Sequence, residues 1–310
     1  MRYVLGFDGG GTKTECVLMD ADQHVLAISR SGPSNPLRVG LEQGIAAINE
    51  AAQAAMLEGK IAPQAIAGLC AGIAGTGNPE RARQMRGALA ASFPSTVIKV
   101  LTDLEIALAA MDDGPAVLLI AGTGSAAIGR GLSGQIARSG GSGPRIGDEG
   151  SAGDIGKQAV LAARGKRVGG QTTLGKLLLL QIGAANWSQA QTYLDTSGDE
   201  IYPRLFPVVA NAADAGEEIS RQLLRTAAVQ LAALVKTLTD QLALREVSFP
   251  LVKMGGMIGR CTFFDNEIDM RLREAVPKAR ITALEISPAH AAARIALTLI
   301  SRPVPEELHG

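Results

Sequence analysis

Gly6-Phe7-Asp8-Gly9-Gly10-Gly11-Thr12-Lys13-Thr14 is echoed further along the chain by Ile120-Ala121-Gly122-Thr123-Gly124-Ser125. Each stretch follows a short apolar run, residues 3–6 and 117–119. Each precedes a second β-prone run, residues 15–19 and 126–129. Both therefore read as strand, tight turn, strand. A turn made almost wholly of glycine lets backbone N–H groups come close to an anion, and a Thr or Ser adds a hydroxyl donor. Three consecutive glycines exceed what a plain hairpin turn needs. Two such turns in the same local context point to two half-sites gripping one polyphosphate. Neither is a P-loop, because no Gly-Lys-Ser/Thr opens a helix. Neither is a dinucleotide fingerprint, because a strand follows where a helix should begin.

Composition sets the class around these turns. With 310 residues, 46% of them hydrophobic, the chain can bury the cores of two medium domains. Its 30 basic and 30 acidic side chains cancel, and aromatics are only 3%, which argues against nucleic acid as a partner. No apolar run is long enough for a membrane span. Cys16, Cys70 and Cys261 lie far apart, so a disulfide framework or zinc knuckle is not expected and a cytoplasmic location is. His24, His290 and His309 are scattered and suggest no triad or metal cluster.

The rest of the first half alternates strand and helix. A strand is expected at 25–29, an Ala-rich helix at 41–57 and a buried strand at 65–71. Asn78-Pro79 opens a helix over 80–91. A strand at 97–101 ends at Thr102-Asp103, and a helix begins at Leu104. Asp112-Asp113-Gly114-Pro115 breaks the chain, and the hairpin pattern restarts as a degenerate internal repeat. There follow a glycine-dense stretch at 129–156, a helical region at 158–244 with turns at Gly169-Gly170 and Ser197-Gly198, and a strand at 249–254 leading into Gly255-Gly256. A last strand at 281–284 and an Ala-rich helix at 289–300, returning to the first domain, complete the chain.

Three polar positions stand out. Asp103 sits where a strand ends and a helix begins, the place where ligands collect in α/β folds. It could accept a proton from a substrate hydroxyl, or simply cap the helix. Gly147-Asp148-Glu149-Gly150-Ser151 offers Asp148 to a polyol, or again only to a helix terminus. Ser34-Asn35 after Gly32-Pro33 reads as a turn.

Taken together, these segments resemble the BadF/BadG/BcrA/BcrD ATPase family, particularly its N-acetylglucosamine and glucosamine kinase members. The likeness runs from Val4 to about Ala293. It is carried by the two hairpins, Ser34-Asn35, Thr102-Asp103, Gly147-Asp148-Glu149-Gly150-Ser151 and Gly255-Gly256. It implies an α/β, actin-like fold of two RNase H-like domains around a nucleotide cleft, with domains at 1–112 plus 286–310 and at 113–285, the latter with a helical insertion. It implies ATP and Mg²⁺ as cofactors and a small sugar as acceptor, and it allows a homodimer. ATP contacts fall on Gly10, Gly11, Thr12, Lys13, Gly122, Thr123, Gly124, Gly255 and Gly256. Asp103 becomes the general base. Sugar contacts fall on Asn35, Asp103, Ser125, Gly141, Ser142, Gly143 and Asp148, and Asp8 would hold Mg²⁺ through water. A side chain at Gly124 is expected to weaken ATP binding while sparing the sugar.

The implied activity is ATP-dependent phosphorylation of an amino sugar at its 6-hydroxyl. Two other readings remain open at this point. One is an activator of acyl-CoA dehydratases or reductases, some of which bridge a dimer with an iron–sulfur cluster. The other is a non-catalytic sugar-binding regulator. The family commonly carries Trp where this chain has Ser142. Losing an indole removes a large apolar surface and adds a hydroxyl. Ser142→Trp should change the ratio of kcat/KM for N-acetylglucosamine over glucosamine by roughly tenfold or more, with ATP parameters unchanged. Steady-state kinetics with both sugars checks this, and an equal response of the two would reduce the departure to packing.

Overall fold

The computed structural model describes residues 2–141, 143, 147–165 and 172–301. Ser142, His309 and the turn expected at Gly169-Gly170 lie outside them. In chain order the elements are β1 (Tyr3–Gly9), β2 (Thr14–Asp20), β3 (Val25–Ser31), α1 (Pro36–Gly59), β4 (Ile66–Ile73), α2 (Pro79–Ser92), β5 (Val97–Leu101) and α3 (Asp103–Ala109). Then come β6 (Ala116–Ala121), β7 (Ser125–Arg130), β8 (Ile136–Gly140), α4 (Ala152–Gly165), α5 (Thr173–Ile182), α6 (Trp187–Ser197), α7 (Phe206–Asp214) and α8 (Glu218–Gln241). The chain closes with β9 (Phe249–Met254), α9 (Thr262–Ala275), β10 (Ala279–Thr282) and α10 (Pro288–Ser301).

These elements form two compact units, Met1–Asp113 with Leu284–Gly310, and Gly114–Ala283. The first holds a sheet ordered β3-β2-β1-β4-β5, and the second a sheet ordered β10-β9-β6-β7-β8. Read from the other edge, the second order is β8-β7-β6-β9-β10. Each unit thus repeats one plan: three antiparallel strands, then two added in parallel.

In the first unit, side chains alternate across the sheet as strand geometry requires. Leu5 and Phe7 face a core built with Ile48, Ala51, Ala55 and Leu89 of the helices on one side. Val4 faces a second core with Ile106 and with Ala289, Ala293 and Ala296 of α10. The α10 stripe is alanine because the backbones are close. A Cβ on Gly6 would fall 2.1 Å from Ala293 N, and one on Gly68 would fall 2.9 Å from Ala296 O. In the second unit α4 to α9 build one large core with β6, β7 and β9.

Several boundaries differ from the sequence reading. β1 runs through Asp8 and Gly9, so the first turn is only residues 10–13. Gly9 is explained by packing, since its Cβ would lie 2.1 Å from Ser34 Oγ. The glycine-dense region hides β8, which its small residues did not announce, and the helical region begins at Ala152. The last strand is Ala279–Thr282, set by parallel pairing with Phe249–Val252 rather than by its own composition. Asn35, read as a turn residue, is the N-cap of α1 and accepts from Leu37 N at 2.9 Å. Among the described residues no helix is long and apolar enough to cross a membrane.

Candidate active site

The first hairpin turn is closed by Gly10 N donating to Lys13 O at 2.9 Å. Its carbonyls are engaged from behind. Gly9 O accepts from Ala74 N at 2.8 Å, Gly10 O accepts from Ser34 N and Asn35 N at 3.1 Å each, and Gly11 O accepts from Arg38 Nη1 at 3.2 Å. The second turn follows the same rule. Ala121 O accepts from Met257 N at 3.1 Å, Gly122 O from Ala152 N at 2.9 Å and Thr123 O from Gly153 N at 3.3 Å. Among the described residues no acceptor takes a hydrogen bond from the N–H of Gly11, Thr12, Thr123 or Gly124. Thr12, Lys13 and Thr123 are exposed. With carbonyls turned inward and donors left outward, each turn presents partial positive charge, the arrangement that receives phosphate.

Glycine at these turns has mixed causes. Gly10 and Gly122 have no left-handed φ, and a Cβ on either would meet only ordinary contacts, 3.6 Å from Lys13 O and 3.5 Å from Gly256 N. Gly256 has nothing within 4 Å of an added Cβ. The fold alone demands glycine at none of the three. Gly255 is different: its φ is +115° and a Cβ would lie 2.3 Å from Ala121 O. It seats the turn after β9 against the second hairpin, so Gly122, Gly255 and Gly256 form one surface.

Gly124 corrects an expectation. A Cβ there would fall 2.8 Å from Asp148 Oδ2. A side chain at Gly124 therefore presses on a residue assigned to the sugar, and would not act on ATP alone.

Asp103 is the first residue of α3, and it is not the cap. Thr102 is the cap: its Oγ1 accepts from Glu105 N at 3.2 Å, while Glu105 Oε2 accepts from Thr102 N at 2.8 Å. This capping box was legible as Thr-x-x-Glu in the sequence. The parallel register aligns Asp8 with Gly72 and Gly72 with Leu101, so Asp8 and the end of β5 lie in one row at the carboxyl ends of the strands. Gly72 keeps that row open for α3, because a Cβ would overlap Ile106 at 2.3 Å. Burial, together with the nearby Asp103 and Glu15 charges, pushes the Asp8 carboxyl up to about 6 against a smaller opposing pull from Lys13. Asn35, capping α1 beside Gly75, completes the polar residues of this unit; Thr76 ties the neighbouring loop down by donating to Ile73 O and Leu101 O.

In the second unit, Asp148 also escapes a capping role. Ser151 Oγ accepts from Asp154 N at 3.2 Å, and Asp154 Oδ2 accepts from Gly150 N at 2.9 Å. Asp148 holds a left-handed φ of 65°, and its Oδ1 accepts from Ser125 N at 3.4 Å. Its carboxyl is raised by burial, opposed by the N–H groups of Ser125 and Gly143 and by Arg138. Ser125 is 2% exposed and its hydroxyl donates to Glu149 O at 2.8 Å, so it anchors this loop instead of facing outward to the sugar as expected. Gly141 and Gly143 both have left-handed φ. Arg138 Nη2 donates to Gly141 O at 2.7 Å, and Gly147 N donates to Gly143 O at 2.9 Å. Asp148, Glu149, Asp154, Lys157, Asp199 and Tyr202 are among the residues lining an adjoining cavity of about 430 Å³. A smaller cavity beside Phe249 and Val276 lies at the opposite, amino-terminal end of β9.

Two other sets of residues carry no such chemistry. Asp20, Asp22 and His24 lie together, but Asp20 accepts from Asp22 N and His24 N in the β2–β3 turn. Cys16, Cys70 and Cys261 are all buried as free thiols, and burial pushes Cys70 up to about 12 and Cys261 to about 11.

Two units with one sheet plan, each placing a glycine turn and an acidic residue at the carboxyl ends of its strands, define the actin-like ATPase fold. The chain belongs to the BadF/BadG/BcrA/BcrD ATPase family, whose model matches residues 5–296. It is 31% identical over 305 residues to the N-acetylmuramic acid/N-acetylglucosamine kinase of Clostridium acetobutylicum, covering 96% of this chain and 98% of that one. It is 29% identical over 310 residues to the N-acetyl-D-glucosamine kinase of Dictyostelium discoideum, covering 94% and 97%. A solved structure from Chromobacterium violaceum, whose assignment as an N-acetylglucosamine kinase is itself a proposal, superimposes with a TM-score of 0.79 at 24% identity over 96% of this chain and 99% of that one.

Two expectations follow from this geometry. Gly122→Ala should fold normally but weaken binding of a non-hydrolysable ATP analogue about tenfold or more, equivalent to roughly 1.4 kcal/mol. Calorimetry measures it, and unchanged affinity would remove the second turn from the nucleotide site. Asp8→Asn should stabilise the metal-free protein at pH 8, because a carboxyl raised from 3.8 to about 6 costs roughly 3 kcal/mol when ionised. The wild-type penalty fades as pH falls through 6 and is gone below about 3.8, so the advantage of Asn should vanish at pH 3.5. Denaturant titrations at the two pH values decide it.

Proposed function

We propose that this protein transfers the γ-phosphoryl group of ATP to the 6-hydroxyl of an amino sugar, N-acetylglucosamine or glucosamine. The family and the two kinase relatives support an ATP-dependent sugar kinase. The observation that carries the mechanism is the placing of Asp103 at the carboxyl end of β5, first in α3 and within electrostatic reach of Asp8, while the cap of α3 is Thr102 with Glu105.

Asp103 accepts the proton of the attacking hydroxyl as its oxygen bonds to the γ-phosphorus and the bond to the β-phosphate oxygen breaks, releasing ADP. Phosphoryl transfer asks mostly for positioning and charge compensation, and the outward N–H groups of both glycine turns supply fixed donors for that purpose. Thr12 and Thr123 add hydroxyls, and Gly255 and Gly256 offer bare backbone to the adenosine. Asn35 and Asp148, with Gly141 and Gly143, hold the acceptor's hydroxyls. The second-unit cavity, lined by several carboxylates, suits a ligand rich in hydroxyl or amine donors.

Mg²⁺ supplies neutralisation of the phosphate oxygens when bound. Asp8 fits as its water-mediated holder, because a mostly buried carboxylate crowded by Asp103 and Glu15 carries excess negative charge that a cation relieves. The buried thiols disfavour the iron–sulfur activator reading, since cluster ligation requires accessible thiolates. Free cysteines and an ATP requirement both suit the cytoplasm, and a homodimer is compatible with the sequence.

Asp103→Asn should keep its fold and ATP affinity, because the capping box is untouched, while kcat falls about 10²–10⁴-fold. Coupled-enzyme assays with both amino sugars, alongside thermal melts, provide the check. Near-normal turnover would end the general-base assignment.

A further inference from the structure

A cation sits beside the first phosphate turn, and the glycine pattern does not announce it. Arg38 lies in the first turn of α1, just past the Asn35 cap. Its Nη1 donates to Gly11 O at 3.2 Å. Its stem is packed so closely that a Cβ on Gly11 would fall 2.7 Å from Arg38 Cδ and 2.8 Å from Nη1. Gly11 has no left-handed φ, and its missing side chain lets Arg38 lie directly over the turn. The Arg38 side chain is exposed, and among the described residues no carboxylate pairs with it. A guanidinium has five N–H donors in a rigid fork, and one bond to Gly11 O leaves the others for an anion.

The backbone adds a second, independent feature. α1 is not continuous: Gly40 has φ 80° and ψ 162°, which separates residues 36–39 from the long helix that follows. A Cβ on Gly40 would meet nothing within 4 Å, so that glycine serves conformation and not packing. The short turn ahead of it is tied to the phosphate hairpin by Ser34 N and Asn35 N, both on Gly10 O. One jointed turn therefore carries Asn35, assigned to the acceptor, and Arg38, resting on the phosphate turn.

We propose that Arg38 contacts the γ-phosphoryl group of the nucleotide and stabilises the negative charge on it during transfer. The assignment deepens the kinase reading and rests on it. Arginine matches phosphate oxygens through paired N–H donors, and it keeps its charge at every physiological pH. The backbone donors of the glycine turn are fixed, whereas Arg38 can follow a group that moves from nucleotide to acceptor. Because the same turn bears Asn35, an acceptor held by Asn35 also sets where Arg38 stands.

The test uses the full chain with Arg38→Ala and Arg38→Lys. Calorimetry with ADP and with a non-hydrolysable ATP analogue needs no sugar. Thermal melts of both variants should match wild type, since the side chain is exposed. Arg38→Ala should bind ADP within about twofold of wild type but the ATP analogue about tenfold or more weakly. With the best acceptor its kcat should fall about 10²–10³-fold and its KM for sugar should hold. Lysine should restore part of kcat, because it returns the charge without the fork. Equal losses for ADP and the analogue would show that Arg38 merely braces the turn and would overturn the proposal, as would unchanged kcat in Arg38→Ala. A wild-type enzyme that phosphorylates no amino sugar would defeat the acceptor assignment while leaving the comparison of ADP with the ATP analogue fully readable.

Discussion

Each glycine turn gives its carbonyl oxygens to the chain behind it, and the remaining site geometry follows from that. In the first unit Gly9, Gly10 and Gly11 accept from Ala74, from Ser34 and Asn35, and from Arg38. In the second, Ala121, Gly122 and Thr123 accept from Met257, Ala152 and Gly153. The partners occupy equivalent places in the repeated plan: Ala74 follows β4, and Met257 follows β9. A peptide group whose oxygen is fixed inward has its N–H fixed as well, so the donors need no reorganisation when an anion arrives.

The same economy governs the acidic residues. A helix start needs acceptors for its exposed N–H groups, and Asp is a common choice. Here Thr102 with Glu105 and Ser151 with Asp154 meet that need. Asp103 and Asp148, lying close to these caps, are therefore not consumed by them. A carboxylate at a helix start is ambiguous by position alone, and here the caps are Thr102 in one unit and Ser151 in the other.

Charge is concentrated in the first unit at some cost to stability. Asp8 is mostly buried and lies within electrostatic reach of Asp103 and Glu15, and its carboxyl is raised accordingly. Glu15 is offset by Arg30, whose Nη2 lies 3.0 Å away. The strain at Asp8 is of the kind found where a site is built for a ligand and not for the resting fold. Asp148, held at a left-handed φ and raised by burial, is the second unit's equivalent.

Much of this was legible in the order of residues. The two glycine hairpins, the restart at the Asp112-Asp113-Gly114-Pro115 break, the strand-end Asp103 and the Ala-rich last helix are local patterns, and local sterics and hydrogen bonding determine them. The Thr-x-x-Glu box was equally local. Other features required the folded chain. β8 exists because β7 offers it an edge, not because Ile136–Gly140 has strong strand composition. Gly9, Gly68 and Gly72 look like their neighbours in the text of the sequence, yet each is glycine to admit a particular side chain or backbone. Ser125 reads as a ligand-facing hydroxyl until its bond to Glu149 O is seen. Arg38 carries no motif at all, and only its packing against Gly11 places it beside the first glycine turn. The sequence alone determines what depends on neighbours along the chain. Contacts between segments distant in sequence depend on register and on how closely backbones approach, and those quantities exist only after the sheets have formed.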